Sequence, residues 1–329
     1  MEATVWKLGL VLGLASAPLA AWASPKLAIW LRARQHIRPE GPTTHGKKAG
    51  TPTMGGLVPL GLVFLSAGII WAVDGMSRPD FFPLAAMGLG SLVGLVDDLC
   101  SQRGRRSTGF FPHQTIFAQL VAAFILVLIT LPHPYTVRLP FSELAVSLPA
   151  WGWVPLLILA FLGTVNGVNL ADGLDGLATG LFLISLLGLL PLSLAFPRLS
   201  ALSLVALGAG LGFLWANAYP AAVFLGNVGS MGLGGFLFGL AWSTGGVLFL
   251  PLTGGVFVLE AISDILQVGS FKLTGTRLFK MSPFHHHLED VPVPWPHRLK
   301  SPNWPEPKVV IRLWVLGAAC ALLCVLASL

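Results

Sequence analysis

Long apolar runs separated by short polar clusters set the pattern of this chain. Runs of 17 or more residues recur from about residue 5 to residue 328, the length a helix needs to cross the hydrocarbon of a bilayer. Apolar residues do not alternate every second position, as a barrel strand would require. The pattern predicts ten helical spans, at about 5–31, 51–73, 81–99, 115–131, 150–166, 177–195, 200–217, 229–244, 246–267 and 309–328. The expected fold is an all-α polytopic membrane protein, a single integral membrane domain over 1–329 with a long loop at about 268–308. The first run resembles a cleaved leader in Lys7 and the small residues from Ala21 to Ser24, but the many spans behind it favour a first span.

Composition agrees: 54% of residues are hydrophobic and 10% charged, against about 25% charged in soluble domains. Of three cysteines, Cys320 and Cys324 lie one helical turn apart in the last apolar run and Cys100 stands alone, so neither a disulfide framework nor a zinc site is indicated. The net charge of +6 points to membrane topology and not to a nucleic-acid partner. Segments 32–50, 99–114 and 268–308 hold 14 Lys and Arg, and the connections around 74–80, 132–149 and 196–199 hold 3. By the positive-inside rule both termini face the periplasm and the basic loops face the cytoplasm. Every candidate for chemistry then falls on the cytoplasmic face.

The densest cluster is TVNGVNLADGLDGLATG, residues 164–180. Ionised side chains at a span are costly to desolvate, about 2.5–3.5 kcal/mol for Asp at a helix centre. Asn166 and Asn169 share a helix face, and Gly173 and Gly176 end the helix so that Asp172 and Asp175 can join them in one pocket; alternatively the two acids only cap helix ends. Segment 41–56, GPTTHGKKAGTPTMGG, lets backbone N–H groups approach an anion beside Lys47 and Lys48, unless the lysines are membrane anchors. The adjacent acids Asp97 and Asp98 suit a metal ion, a proton acceptor, or salt bridges to Arg103, Arg105 or Arg106. In residues 215–235, Phe224 could stack on a base and Asn227 offer an oxygen, or they serve as core and turn residues. Glu260 and Asp264 share a helix face that lines a cavity. His285, His286 and His287 cannot all hold one metal from a regular helix and suit phosphate better than zinc.

Acids, amides, lysines and histidines on one face suit a phosphorylated substrate that meets a lipid, and phosphoryl transfer commonly adds a hard cation. The stretches GPTTHGKKAGTPTMGG, LVGLVDDL, NGVNLADGLDGLATG, WANAYPAAVFLGNVGS, EAISDILQVGSFKLTGTRLFKMSPFHHHLE and WPEPKVVIRLW closely resemble, in order and spacing, the phospho-N-acetylmuramoyl-pentapeptide transferases of bacterial cell-wall synthesis. The resemblance runs from about residue 40 to the C-terminus. It implies a ten-helix homodimer in the bacterial cytoplasmic (inner) membrane. It also implies transfer of phospho-MurNAc-pentapeptide from UDP-MurNAc-pentapeptide to undecaprenyl phosphate, giving lipid I and UMP with Mg²⁺ present. By position it assigns Asp97 and Asp98 to the lipid-phosphate end, and Asn169, Asp172, Asp175, Asn217 and Gln267 to the nucleotide and sugar. Phe224 falls on uracil, Lys48 and Thr51 nearby, the three histidines at the diphosphate, and Asn227 at the metal.

The chain departs from that pattern. Asn227 stands where the family has an aspartate metal ligand, which lowers the expected metal affinity. Ser101 and Thr115 replace lysines, His113 replaces an arginine, and a proline-rich insert occupies 292–302. Arg103, Arg105 and Arg106 lie close enough to supply charge, although a guanidinium fork is not a lysine point charge. A relative acting on another UDP-amino sugar, and a weakly catalytic membrane paralogue that binds nucleotide-sugar or lipid, remain the alternatives.

Overall fold

A computed structural model describes residues 2–33, 50–75, 77–104, 109–131 and 135–329. Lys48, Lys47, Arg105 and Arg106 lie outside the described residues. Each of the ten apolar segments contains helix. Among the described residues seven helices are long and apolar enough to cross a membrane. They are α1 (Glu2–Trp30), α2 (Leu57–Asp74), α3 (Arg78–Gly104), α4 (Pro112–Thr130), α5 (Ala150–Ala171), α7 (Pro197–Asn217) and α12 (Glu306–Ser328). Helix α6 (Leu177–Ser193) is shorter and α8 (Gly226–Ser243) is glycine-rich. Helix α8 is buried on all sides and α6 on all but the side carrying Leu187, as the centre of a bundle demands. The ninth segment is broken: the helical piece Val247–Thr253, which ends in α9 (Leu250–Thr253), meets α10 (Gly255–Thr274) at 81°. A short helix, α11 (Phe284–Leu288), lies in the long loop before α12.

The structure differs from an all-α expectation in one place. β1 (Tyr135–Arg138) and β2 (Ala145–Leu148) pair antiparallel, with Tyr135 opposite Leu148 and Arg138 opposite Ala145. Their period-two pattern sits in a loop too short to register as a span. The Tyr135 ring stacks on Trp242 with centroids 3.6 Å apart, and its hydroxyl donates to the Trp242 carbonyl at 2.9 Å. The hairpin is thereby pinned to the C-terminal end of α8.

Helices α3 and α5 also continue past their expected ends, to Gly104 and Ala171. The polar residues at 97–98 and 166–169 were expected to mark membrane exits; they stay helical because side chains on neighbouring helices meet them. Glycine governs how closely α3 and α8 approach. A Cβ on Gly94 would stand 2.1 Å from the Asn227 carbonyl oxygen, and one on Gly235 would stand 2.3 Å from that of Ala86. Asp97 and Asp98 lie three and four residues beyond Gly94, on the same helix face, and so meet the first turn of α8.

At the opposite end of the bundle Arg198, at the start of α7, joins two acids. Its Nε lies 2.8 Å from Asp74 and its Nη1 3.2 Å from Asp80, and Nη2 donates to the Asp74 carbonyl at 2.6 Å. The side chain of Arg198 is 25% exposed while those of Asp74 and Asp80 are 9% and 5%, so removing the cation strands two nearly buried carboxylates. Arg198→Met is expected to destabilise the protein by about 2–4 kcal/mol, slightly below a fully buried pair. A thermal midpoint equal to that of the wild type in the same detergent would show that the clamp contributes nothing.

Candidate active site

The α5 residue Asn169 starts a hydrogen-bonded chain across three helices. Its Nδ2 donates to Asn227 Oδ1 at 2.8 Å and to Ser230 Oγ at 2.9 Å. Asn227 in turn directs its own Nδ2 to Asp97 Oδ2. The other Asp97 oxygen accepts the Phe110 N–H at 2.5 Å. Asp98 accepts the N–H groups of Asn227 at 3.2 Å and Val228 at 2.9 Å. These are first-turn amides of α8, which have no partner within their own helix. The adjacent acids thus divide: Asp98 caps α8, and Asp97 faces the amide of Asn227.

Asn166 does not join them, contrary to the convergence expected of all four polar side chains in 164–180. It exchanges hydrogen bonds with Gln119 of α4, at 2.7 and 3.1 Å, and donates to Leu162 O at 2.8 Å. A polar side chain facing a bundle interior takes whatever partner the neighbouring helix offers, and Gln119 is fully buried there.

Asp172 ends α5 and Gly176, with φ 77°, leads into α6. The turn between is clamped from both sides: the Asp175 N–H donates to Glu306 Oε1 at 2.9 Å, and Asp175 Oδ2 accepts the Ala221 N–H at 3.0 Å. Asn217 is buried, accepting from Thr179 Oγ1 and donating to the Val223 carbonyl, both at 3.0 Å. It therefore holds the 218–225 loop that carries Phe224. The Phe224 N–H donates to Pro52 O at 2.8 Å and its carbonyl accepts from Gly55 at 3.0 Å. The stretch after Thr51 is thus laced to the loop, and both Thr51 and the Phe224 ring stay half-buried.

The three histidines separate. Nε2 of His285 would lie 2.3 Å from a Cβ on Gly173, and Nε2 of His286 3.2 Å from it. Both rings therefore abut the Asp172–Gly173 turn. Each has a carboxylate at Nδ1: Glu260 lies 3.2 Å from His285, and Glu289 2.5 Å from His286. His287 turns the other way, where its Nδ1 accepts the Lys280 N–H at 3.1 Å and its ring meets Phe279 edge-on. Burial, with the charges of His297 and Lys280 beside it, holds the His287 imidazole below its usual pKa. Burial also lowers Lys280, against the pull of Asp290 and Glu289. Its ammonium donates to the Glu289 carbonyl and to Asn303 Oδ1. Gln267 accepts from Leu278 and Phe279 N–H at 3.0 and 2.9 Å and donates to Phe279 O at 3.1 Å. The proline-rich insert folds back here, Trp295 Nε1 donating to the Lys280 carbonyl at 2.8 Å. His287, Lys280 and Gln267 hold this loop in shape, while His285 and His286 are the pair turned to the site.

Sequence reasoning passed over Gln119, Ser230, Glu289 and Glu306. Ser230 lies one turn after Asn227 and Glu289 three residues after His286, spacings that place them on shared helix faces. Among the described residues no three His, Cys, Asp or Glu side chains gather as a metal cage.

A bundle of apolar helices with acids, amides and imidazoles gathered from α3, α5, α8, α10 and the α11 loop defines a polytopic membrane enzyme. Residues 81–245 match the family described as Glycosyl transferase family 4. Relatives named phospho-N-acetylmuramoyl-pentapeptide-transferase align nearly end to end. Those of Desulfatibacillum aliphaticivorans and Thermodesulfovibrio yellowstonii are each 40% identical, over 93% and 92% of this chain and 88% of their own length. That of Shouchella clausii is 40% identical over 89% of this chain and 88% of its own length. The chain belongs to the phospho-N-acetylmuramoyl-pentapeptide-transferase family.

Proposed function

We propose that this protein transfers phospho-MurNAc-pentapeptide from its UDP carrier to undecaprenyl phosphate, giving lipid I and UMP. The observation that carries the reading is identity of 40% over some nine-tenths of the chain, with the motif residues of α3, α5, α8 and the α11 loop adjoining one another. A lipid-phosphate oxygen bonds to the sugar-linked phosphorus, and the bond from that phosphorus to the bridging oxygen breaks, its electron pair leaving with UMP. Such a step needs positioning and charge neutralisation more than covalent help from the protein. Asp97 lies at the lipid-phosphate end, Asp172 and Asp175 at the sugar and nucleotide, Phe224 against uracil with Thr51 beside it, and His286 at the diphosphate. Asn217 and Gln267 act by holding the loops around these groups, and Asp98 by fixing α8. Lys48 belongs to the same reading from its place in the motif. The protein is a single domain of the bacterial inner membrane with ten spans, outward termini and a cytoplasmic site, surrounded by membrane lipid and paired as a homodimer.

Mg²⁺ suits a site of this chemistry, since it takes hard oxygen ligands and commonly uses one or two carboxylates with substrate phosphates supplying the rest. Asp97 would hold it, and Asn227 would join by turning its amide, whose nitrogen now faces Asp97, so that the oxygen takes that side. When bound, it supplies neutralisation of charge on the diphosphate.

Purified protein with UDP-MurNAc-pentapeptide, a polyprenyl phosphate and Mg²⁺ is expected to release UMP. Silence from the wild type, with activity only in Asn227→Asp, would make this chain a binding paralogue. Phe224→Ala is expected to weaken uridine-based ligands about tenfold, within the range aromatic–base stacking supplies. Equal affinity by calorimetry would remove Phe224 from the site.

A further inference from the structure

Glu260 and His285 are both fully buried, an expensive pairing inside a membrane bundle that requires a reason. Glu260 Oε2 lies 3.2 Å from His285 Nδ1 and also accepts the His285 backbone N–H at 3.2 Å. Neither ring nitrogen of His285 has a hydrogen-bond partner among the described residues, Nδ1 meeting Glu260 as a close ion-pair contact, and Glu260 Oε1 is likewise buried without one. His285 Nε2 points at Gly173, where a Cβ would meet it at 2.3 Å. The ring of His286 lies 4.1 Å away between centroids.

We propose that Glu260 is a positioning residue that keeps His285 protonated beneath the Asp172–Gly173 turn, so that the positive end of a buried ion pair faces the part of the site that receives the diphosphate. The inference rests on the transferase reading above and deepens it. His285 does not reach substrate itself; it acts through the turn and beside His286. The groups that face it are Glu260 and Asp264 on α10, and Glu289 and His286 on or after its own helix. Burial by itself would hold the imidazole neutral, but the nearby charge of Glu260, with those of Glu289 and Asp264 behind it, outweighs that and raises its pKa above the ordinary value. The sign follows from linkage. The stabilisation is complete below the unfolded histidine pKa of about 6.5, and it is lost as pH rises through the elevated folded value.

The test is the pH profile of kcat for UMP release by the full-length protein in detergent or nanodiscs, with and without Glu260→Gln. The neutral amide removes the largest opposing charge, so the alkaline limb is expected to move to lower pH, with KM for the nucleotide substrate changed less than twofold. Activity should fall about tenfold at pH 8 and less at pH 6, and Glu260→Asp should restore the limb. A profile with unchanged shape and merely lower amplitude or thermal midpoint would overturn the proposal. If Glu260→Gln does not fold, histidine-labelled wild type decides by NMR. An imidazole that remains protonated well above pH 6.5 and disappears from the spectrum of His285→Gln supports the pair, and its absence overturns it. Wild type that releases no UMP defeats the transferase reading instead, which the NMR arm leaves separate.

Discussion

Replacing Gly173 by alanine is expected to cut UMP release about a hundredfold while leaving the protein folded. The added methyl would stand 2.3 Å from His285 Nε2, 3.0 Å from its Cε1 and 3.2 Å from His286 Nε2. Neither ring can give way easily, since His285 is fully buried against Glu260 and His286 is held by Glu289. The turn must move instead, and it carries Asp172 on one side and the clamped Asp175 on the other. A displacement of about 1 Å between positioning groups costs on the order of a hundredfold in rate. Overpacking alone costs about 1–3 kcal/mol of stability. Steady-state kinetics beside a thermal midpoint separate the two effects, and a variant within threefold of wild-type kcat would show that this turn is not part of the catalytic geometry.

The second large effect is a gain. Asn227→Asp is expected to lower the Mg²⁺ concentration for half-maximal activity ten- to hundredfold, because a charged oxygen replaces a neutral amide at a hard-cation site. The same change should weaken the metal-free protein. Asn227 now donates to Asp97 and accepts from Asn169, so its amide closes a hydrogen-bonded chain. A second carboxylate in its place would face Asp97 and repel it. The thermal midpoint of the variant in chelator should therefore fall below that of the wild type and recover on adding Mg²⁺, while the wild type responds less. Identical Mg²⁺ dependence in the two proteins, with no loss in chelator, would show that position 227 lies outside the cation's reach.

These two positions differ in how they could be found. Asn227 is legible as a departure from a family motif, and its residue type alone forecasts a weaker metal site. Its actual partners are not legible, because α3, α5 and α8 are remote in sequence and meet only through glycine-mediated packing. Gly173 reads from sequence as a helix stop; its observed function is to admit two imidazoles from a loop more than a hundred residues away. The neighbours Asp97 and Asp98 look equivalent in the sequence. They diverge because consecutive helical residues lie about 100° apart, which sends one carboxylate to the α8 amides and the other to a side chain. Likewise the run of three histidines gave no hint that a short helical turn would send two to the site and one into the loop.

The sequence by itself determined that this is a membrane protein of long apolar helices, which loops carry positive charge, and which polar stretches carry the family's motifs. Hydrophobic run length, charge asymmetry and motif content are properties of short windows, and a window is enough to read them. Only the tertiary structure decided that Asn166 belongs to Gln119, that Glu306 clamps Asp175, that Glu260 backs His285, and that a hairpin is stacked on Trp242. Inside a bundle with little water, a buried polar group commonly takes its partner from another element, and no local pattern records which element that will be.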